Sequence, residues 1–66
     1  MSNSDILYLE ANKTPIVLTH NCMNENGFED SDIFTISDPM NFEQIKIKNQ
    51  YNQEFTINPN QIKELY

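Results

Sequence analysis

The chain of 66 residues contains no arginine and no tryptophan, and its four lysines face ten carboxylates, giving a formal net charge of −6. Without arginine, the planar fork that grips phosphate through two parallel hydrogen bonds is missing. At this charge an encounter with a nucleic-acid duplex or an anionic membrane gains no counterion-release energy and is opposed by repulsion. Cysteine is almost as scarce: Cys22 stands alone, so no intramolecular disulfide can form, and a lone thiol fits a reducing compartment such as the cytoplasm. Long apolar runs are also lacking. Residues 1–5 are polar and carry no basic side chain, and the run Ile6-Leu7-Tyr8-Leu9 falls far short of a bilayer's thickness, so neither a leader peptide nor a membrane anchor is expected. There is one glycine, Gly27, which makes its position the natural place for a left-handed backbone.

A chain this short has room for one core, burying about 60% of its unfolded surface, so residues 1–66 are expected to form one small domain. Domains of this size commonly lean on a disulfide, a metal or a partner, and the first of these is already excluded. Ten asparagines and four glutamines make up about a fifth of the chain, dispersed and not in a tract, which speaks against prion-like low complexity. That usage is similar to small acidic reading frames of AT-rich bacteria and their phages, a likeness of composition that covers no motif.

Six short apolar segments recur at a spacing of roughly ten residues, the pattern of a small all-β body. Ile6-Leu7-Tyr8-Leu9, apolar on both faces, and Ile16-Val17-Leu18-Thr19 are separated by Asn12-Lys13-Thr14-Pro15 and predict a core hairpin. His20 to Asp32 is polar and predicts the longest loop. Ile33-Phe34-Thr35-Ile36 predicts a strand ended by Ser37-Asp38-Pro39, with a single helical turn over Met40 to Glu43. The clearest alternation is Gln44-Ile45-Lys46-Ile47-Lys48, answered by Glu54-Phe55-Thr56-Ile57-Asn58 across a turn at 49–53. These two predict an antiparallel hairpin whose isoleucines and Phe55 share the inner face. Asn58-Pro59-Asn60-Gln61 carries a capping side chain, proline at the first helical position and glutamine three residues after the cap, which predicts one helical turn. Ile62, Leu65 and Tyr66 are expected to pack back on the sheet. Together these elements predict a mainly β fold, a small five-stranded antiparallel SH3-like or OB-like partly open barrel with one or two short helical turns. Over about a third of the chain, the ending is similar to that of many SH3-like barrels. The alternative is a small α+β arrangement in which the regions around Pro39 and Pro59 extend into helices.

Few residues carry chemistry. Asn24, Asn26, Gly27 and Asp30 fall at positions three, five, six and nine of a calcium loop, but positions one and twelve would be Cys22 and Ile33. The starting carboxylate and the closing bidentate glutamate are therefore missing, and turn chemistry accounts for the rest. His20 and Cys22, one residue apart, would share a face on a strand and offer two metal ligands, two short of a tetrahedral site. No metal and no cofactor is expected. One histidine and one cysteine without an oxyanion donor pair give no nucleophilic machinery, and exposed neighbours such as Glu29, Asp30 and Asp32 act as a charged surface, so an enzyme is not expected. Asn12-Lys13-Thr14 matches a glycosylation tripeptide by chance in a cytoplasmic protein.

Charge asymmetry says more. Residues 25–43 carry Glu25, Glu29, Asp30, Asp32, Asp38 and Glu43 without a lysine, whereas Lys46, Lys48 and Lys63 lie further along. Such a surface maintains solubility, and it is also suited to docking on a basic groove of a nucleic-acid enzyme, imitating phosphates, with steering that speeds encounter. Phe28, Phe42, Tyr51 and Tyr66 lie near turns, where aromatics either cover a small core or anchor a partner. Tyr51, flanked by Asn49, Gln50, Asn52 and Gln53, is the strongest of these for contact. The sequence therefore predicts a non-catalytic acidic module, an accessory or inhibitor, that binds a larger protein through Glu25, Phe28, Glu29, Asp30, Asp32 and Tyr51. Two rivals stand beside it: a structural subunit of a larger assembly, with a homo-oligomer left open, and a weak nucleic-acid-binding barrel using Lys46, Lys48 and Tyr51.

Overall fold

A computed structural model describes residues 2–63. It is an α+β structure, with helices α1 (Asn3–Ala11) and α2 (His20–Asn26) and strands β1 (Val17–Leu18), β2 (Thr35–Asp38), β3 (Ile45–Lys48), β4 (Glu54–Ile57) and β5 (Ile62–Lys63). The barrel expectation is overturned: among the described residues the strands form two separate antiparallel sheets, β1 with β5 and a meander ordered β2-β3-β4, and neither closes. An isolated bridge, Ile16 to Phe34, joins the two sheets through a 2.8 Å hydrogen bond from the Ile16 amide to the Phe34 carbonyl.

The first predicted hairpin does not form, because its leading segment is helical. Ser2 Oγ accepts from the Asp5 amide at 3.2 Å, and the Asp5 carboxylate accepts in return from the Ser2 amide at 3.4 Å, a reciprocal box that satisfies orphan donors at the start of α1. Beyond this cap, Leu7, Leu9, Glu10 and Ala11 are good helix formers. Ile6 and Leu9, three apart, face the sheet, and Leu7 and Tyr8 stay exposed. The helix is thus apolar on both sides, and without an amphipathic stripe it imitates a two-faced strand. At its end the Asn12 side chain donates to the Tyr8 carbonyl at 2.8 Å, and Lys13 turns left-handed with φ 51°.

The predicted long loop 20–32 likewise begins as a helix. Thr19 Oγ1 accepts from the Cys22 amide at 3.3 Å, capping α2. Gly27 ends it with φ 67°, and the Phe28 amide reaches back 2.9 Å to the Met23 carbonyl, the pairing of a left-handed helix stop. Gly27 therefore does what its uniqueness suggests.

The β3–β4 hairpin follows the alternation: Ile45 pairs with Ile57 and Ile47 with Phe55, while Lys46 faces Thr56 and Lys48 faces Glu54. β2 adds to the other side of β3 with a register shift between Ile36 and Asp38. The turn predicted at Pro59 is present as a one-turn 3-10 helix, Pro59–Gln61, with the Gln61 side chain accepting from the Asn58 amide at 2.9 Å. No helical turn forms over Met40 to Glu43. Met40 and Phe42 adopt φ 51° and 67°, held by Asp38 Oδ1 accepting from the Met40 amide and Asn41 Oδ1 accepting from the amides of Glu43 and Gln44. Of the two helices placed by the α+β alternative, the one at Pro59 is present only as the 3-10 turn and the one at Pro39 is absent, while the two α-helices lie at 3–11 and 20–26. The expected packing of Leu65 and Tyr66 lies outside the described residues.

One apolar cluster lies between α1 and the three-stranded sheet and continues to α2 and the small sheet: Ile6, Leu9, Ile16, Leu18, Cys22, Phe34, Ile36, Ile45, Ile47, Ile57 and Ile62. Cys22 is part of it, its thiol on the inner side of α2, whereas His20 is exposed on the same helix, so the shared strand face expected for the pair does not exist. Burial, followed by the nearby Glu25 charge, pushes the thiol pKa above its ordinary value of 9.0, against the opposing effect of a hydrogen bond from Asn26. Folding thus favours the protonated thiol, and this contribution is complete below 9.0 and is lost as pH rises through the higher folded value. Below that range, native Cys22 is expected to react with an aromatic disulfide reagent at least about tenfold more slowly than in urea. Equal rates in the two conditions would contradict its burial.

Candidate functional site

The acidic segment predicted as a partner surface is divided by the fold. Glu25 lies exposed on α2, and Glu29, Asp30 and Asp32 follow in the loop that leads to β2. Asp32 shapes that loop: its Oδ2 accepts from the Glu29 amide at 3.1 Å. Its other oxygen reaches outside the loop. Gln50, in the β3–β4 turn, donates from Nε2 to Asp32 Oδ1 at 3.1 Å and accepts from the Ile33 amide through Oε1 at 2.9 Å. One side chain thereby ties two surface segments 17 to 18 residues apart in sequence, and places the acidic loop beside Tyr51, the next residue of the turn.

That turn is built by Asn49. Although polar, Asn49 is buried, and its Oδ1 accepts from the Tyr51 amide at 2.9 Å and the Gln53 amide at 3.0 Å while its Nδ2 donates to Gln53 Oε1 at 2.8 Å. Asn52 takes the left-handed position with φ 63°. With the backbone so fixed, Tyr51 stands 72% exposed, and Ile33 on the loop bonded to Gln50 is 55% exposed. The result is a surface on which two exposed apolar side chains, Tyr51 and Ile33, sit on the two segments that Gln50 joins through Asp32, with Glu29 and Asp30 on the same loop, the mixture of anchor and charge found at docking sites. Ile33 escapes a reading of the sequence as a binding residue, and Gln50 enters that reading only as a flank of Tyr51, not as a tie to the acidic loop. Nothing local marks Gln50, because both of its partners are distant along the chain.

Phe28 belongs elsewhere. Its ring lies 4.7 Å from Phe34 at 49° and 4.7 Å from Phe55 at 71°, with Phe34 and Phe55 6.3 Å apart. The three rings form a tilted and edge-to-face cluster at the margin of the core, and Phe28 is held there by the helix stop at Gly27. Phe28 is therefore half-buried, with its ring packed on the margin of the core.

A groove of about 250 Å³ opens between β1, α2 and the loop before β2. Ile16, Leu18 and Phe34 lie along it with Met23, its charged lining comprises Asp30, Asp32 and Lys63, and the His20 ring completes its polar side. Ion pairs among the described residues are confined to the sheet, where Glu54 approaches Lys46 at 3.9 Å and Lys48 at 3.8 Å. These are exposed pairs of little energetic weight, but they place a carboxylate against both lysines of the nucleic-acid reading. Among the described residues no group of three or more potential ligands comes together to hold a metal ion, and no helix is long and apolar enough to cross a membrane.

No family model, curated protein or solved structure matches the chain.

Proposed function

We propose that this protein is a non-catalytic acidic binding module, an accessory or inhibitor that docks on a basic surface of a larger protein. The observation that carries the reading is the double hydrogen bond of Gln50, which makes one preformed surface from the acidic loop and the Tyr51 turn. Preformation matters because ordering a loop on binding consumes affinity, whereas a loop already fixed retains it. Tyr51 and Ile33 supply contact area, and Glu29, Asp30 and Asp32 supply long-range attraction and register. Phe28 is left out of this reading because its ring packs on Phe34 and Phe55, and Glu25, exposed on α2, adds to the net negative charge.

The test is affinity capture with the tagged protein from nuclease-treated lysate of its source or host, at low and moderate salt, read by mass spectrometry. A single stoichiometric protein that is lost as salt rises is expected. Recovery of the bait alone, with a native mass above the monomer, would replace this reading with that of a structural subunit. Retention that depends on nucleic acid before nuclease treatment would favour the nucleic-acid reading.

A further inference from the structure

We infer that the groove between β1, α2 and the loop before β2 receives one arginine side chain of the protein partner, an inference that rests on the docking reading above. The groove's size and lining decide the guest. At about 250 Å³ it lies below the roughly 300–1,000 Å³ of small-molecule sites, yet it has room for one long side chain. Its lining is apolar at Ile16, Leu18 and Met23, and acidic at Asp30 and Asp32. An apolar stem that ends in a cation matches both parts: the methylenes lie along the aliphatic lining and the head meets the carboxylates. Arginine suits this better than lysine, because its head is planar, weakly hydrated and able to bond two carboxylate oxygens at once.

The two aspartates have different parts. Asp32 already accepts from the Glu29 amide and from Gln50, so it is fixed in place. Asp30 is exposed and makes neither an ion pair nor a side-chain hydrogen bond with a described residue, which leaves its carboxylate available to a guest. Lys63 is the cation of the lining and forms no ion pair with Asp30 or Asp32. It lowers the local attraction for a positive guest, so its removal should tighten binding, an effect that a general loss of fold does not imitate.

The probe is Nα-acetyl-arginine amide, added to the 15N-labelled full chain, with amide shifts read by NMR. Nα-acetyl-citrulline amide, nearly the same shape without the charge, is the control. Saturable shifts at Val17, Leu18 and residues 30–34 are expected for arginine, in the millimolar range, with citrulline silent. Asp30→Asn should weaken the arginine response about tenfold, the loss of one charge-assisted hydrogen bond. Lys63→Gln should strengthen it by about two- to fivefold, the effect of removing a like charge near a surface. Equal response to citrulline, shifts that fall outside the groove, or an unaltered response in both variants would overturn the inference. If the arginine probe fails while a salt-sensitive partner is still captured, the groove has no arginine guest and the docking surface stands. If no salt-sensitive partner is captured, the docking reading itself has failed.

Discussion

Ile47→Ala is expected to cost about 3–4 kcal/mol, the middle of the range for truncation of a buried isoleucine. Ile47 sits on β3, the central strand of the meander, flanked by Ile36 on one side and Phe55 on the other, and is fully buried. No rearrangement of a neighbouring strand closes the space without breaking one of the two ladders. Global stability scales as about 0.05–0.15 kcal/mol per residue, which gives a chain of this length about 3–10 kcal/mol in total. The substitution therefore removes between a third and all of it, and the thermal midpoint should fall by about 12–30 °C where folding survives. Leu7→Ala is the comparison, since Leu7 is apolar but exposed on α1, and surface changes usually stay within about 0.5 kcal/mol. A urea titration of both variants checks this. A loss for Ile47→Ala no larger than for Leu7→Ala would mean that the core is not centred on β3.

Substitution of Phe28 is expected to separate stability from binding. Phe28→Ala removes two ring contacts at 4.7 Å and should destabilise by about 2–3 kcal/mol, less than a fully buried ring because one side faces water. If Phe28 belongs to the core, the folded fraction of the variant should bind a captured partner within about threefold of the wild type, because truncating a residue outside the contact changes little. Stability unchanged with affinity lost tenfold or more would return Phe28 to the contact surface. The measurement is a urea midpoint together with affinity determined at a temperature where the variant remains folded.

How far the sequence reveals each element depends on where the determining interactions lie. The β3–β4 hairpin is legible because Ile45, Ile47, Phe55 and Ile57 repeat with the period of a pleat, and that repeat survives intact in the pairing. Gly27 and the Asn58-Pro59 turn are legible because each rests on a local backbone constraint. The helices are hidden for opposite reasons. α1 is apolar on both its buried and its exposed sides, so no 3.6-residue stripe announces it. α2 is so polar that it resembles a loop, although Thr19 at its start and Gly27 at its end are both visible boundary signals. Ser2 with Asp5, and Thr19 with Gly27, weighed as paired signals, are the local marks that point to both helices. For the candidate surface, the carboxylates and Tyr51 are evident from charge and position. Their union is not, because it depends on Gln50 spanning from the turn to Asp32 and Ile33, a long-range contact that leaves no periodic trace.

If the loop carboxylates draw a basic protein to a preformed surface, the salt dependence of affinity for the captured protein must change when their charge is removed. The decisive comparison is between the wild type and the variant Glu29→Gln, Asp30→Asn. Neither of these side chains makes a hydrogen bond or ion pair with a described residue, whereas Asp32, which accepts from both Gln50 and the Glu29 amide, is left in place, so the variant removes two charges with little change to the shape of the loop. Affinity at low salt is expected to fall at least about tenfold and the decline with salt to become much shallower, because fewer charges remain to be screened. An unaltered affinity with an unaltered salt slope would contradict electrostatic docking through this loop.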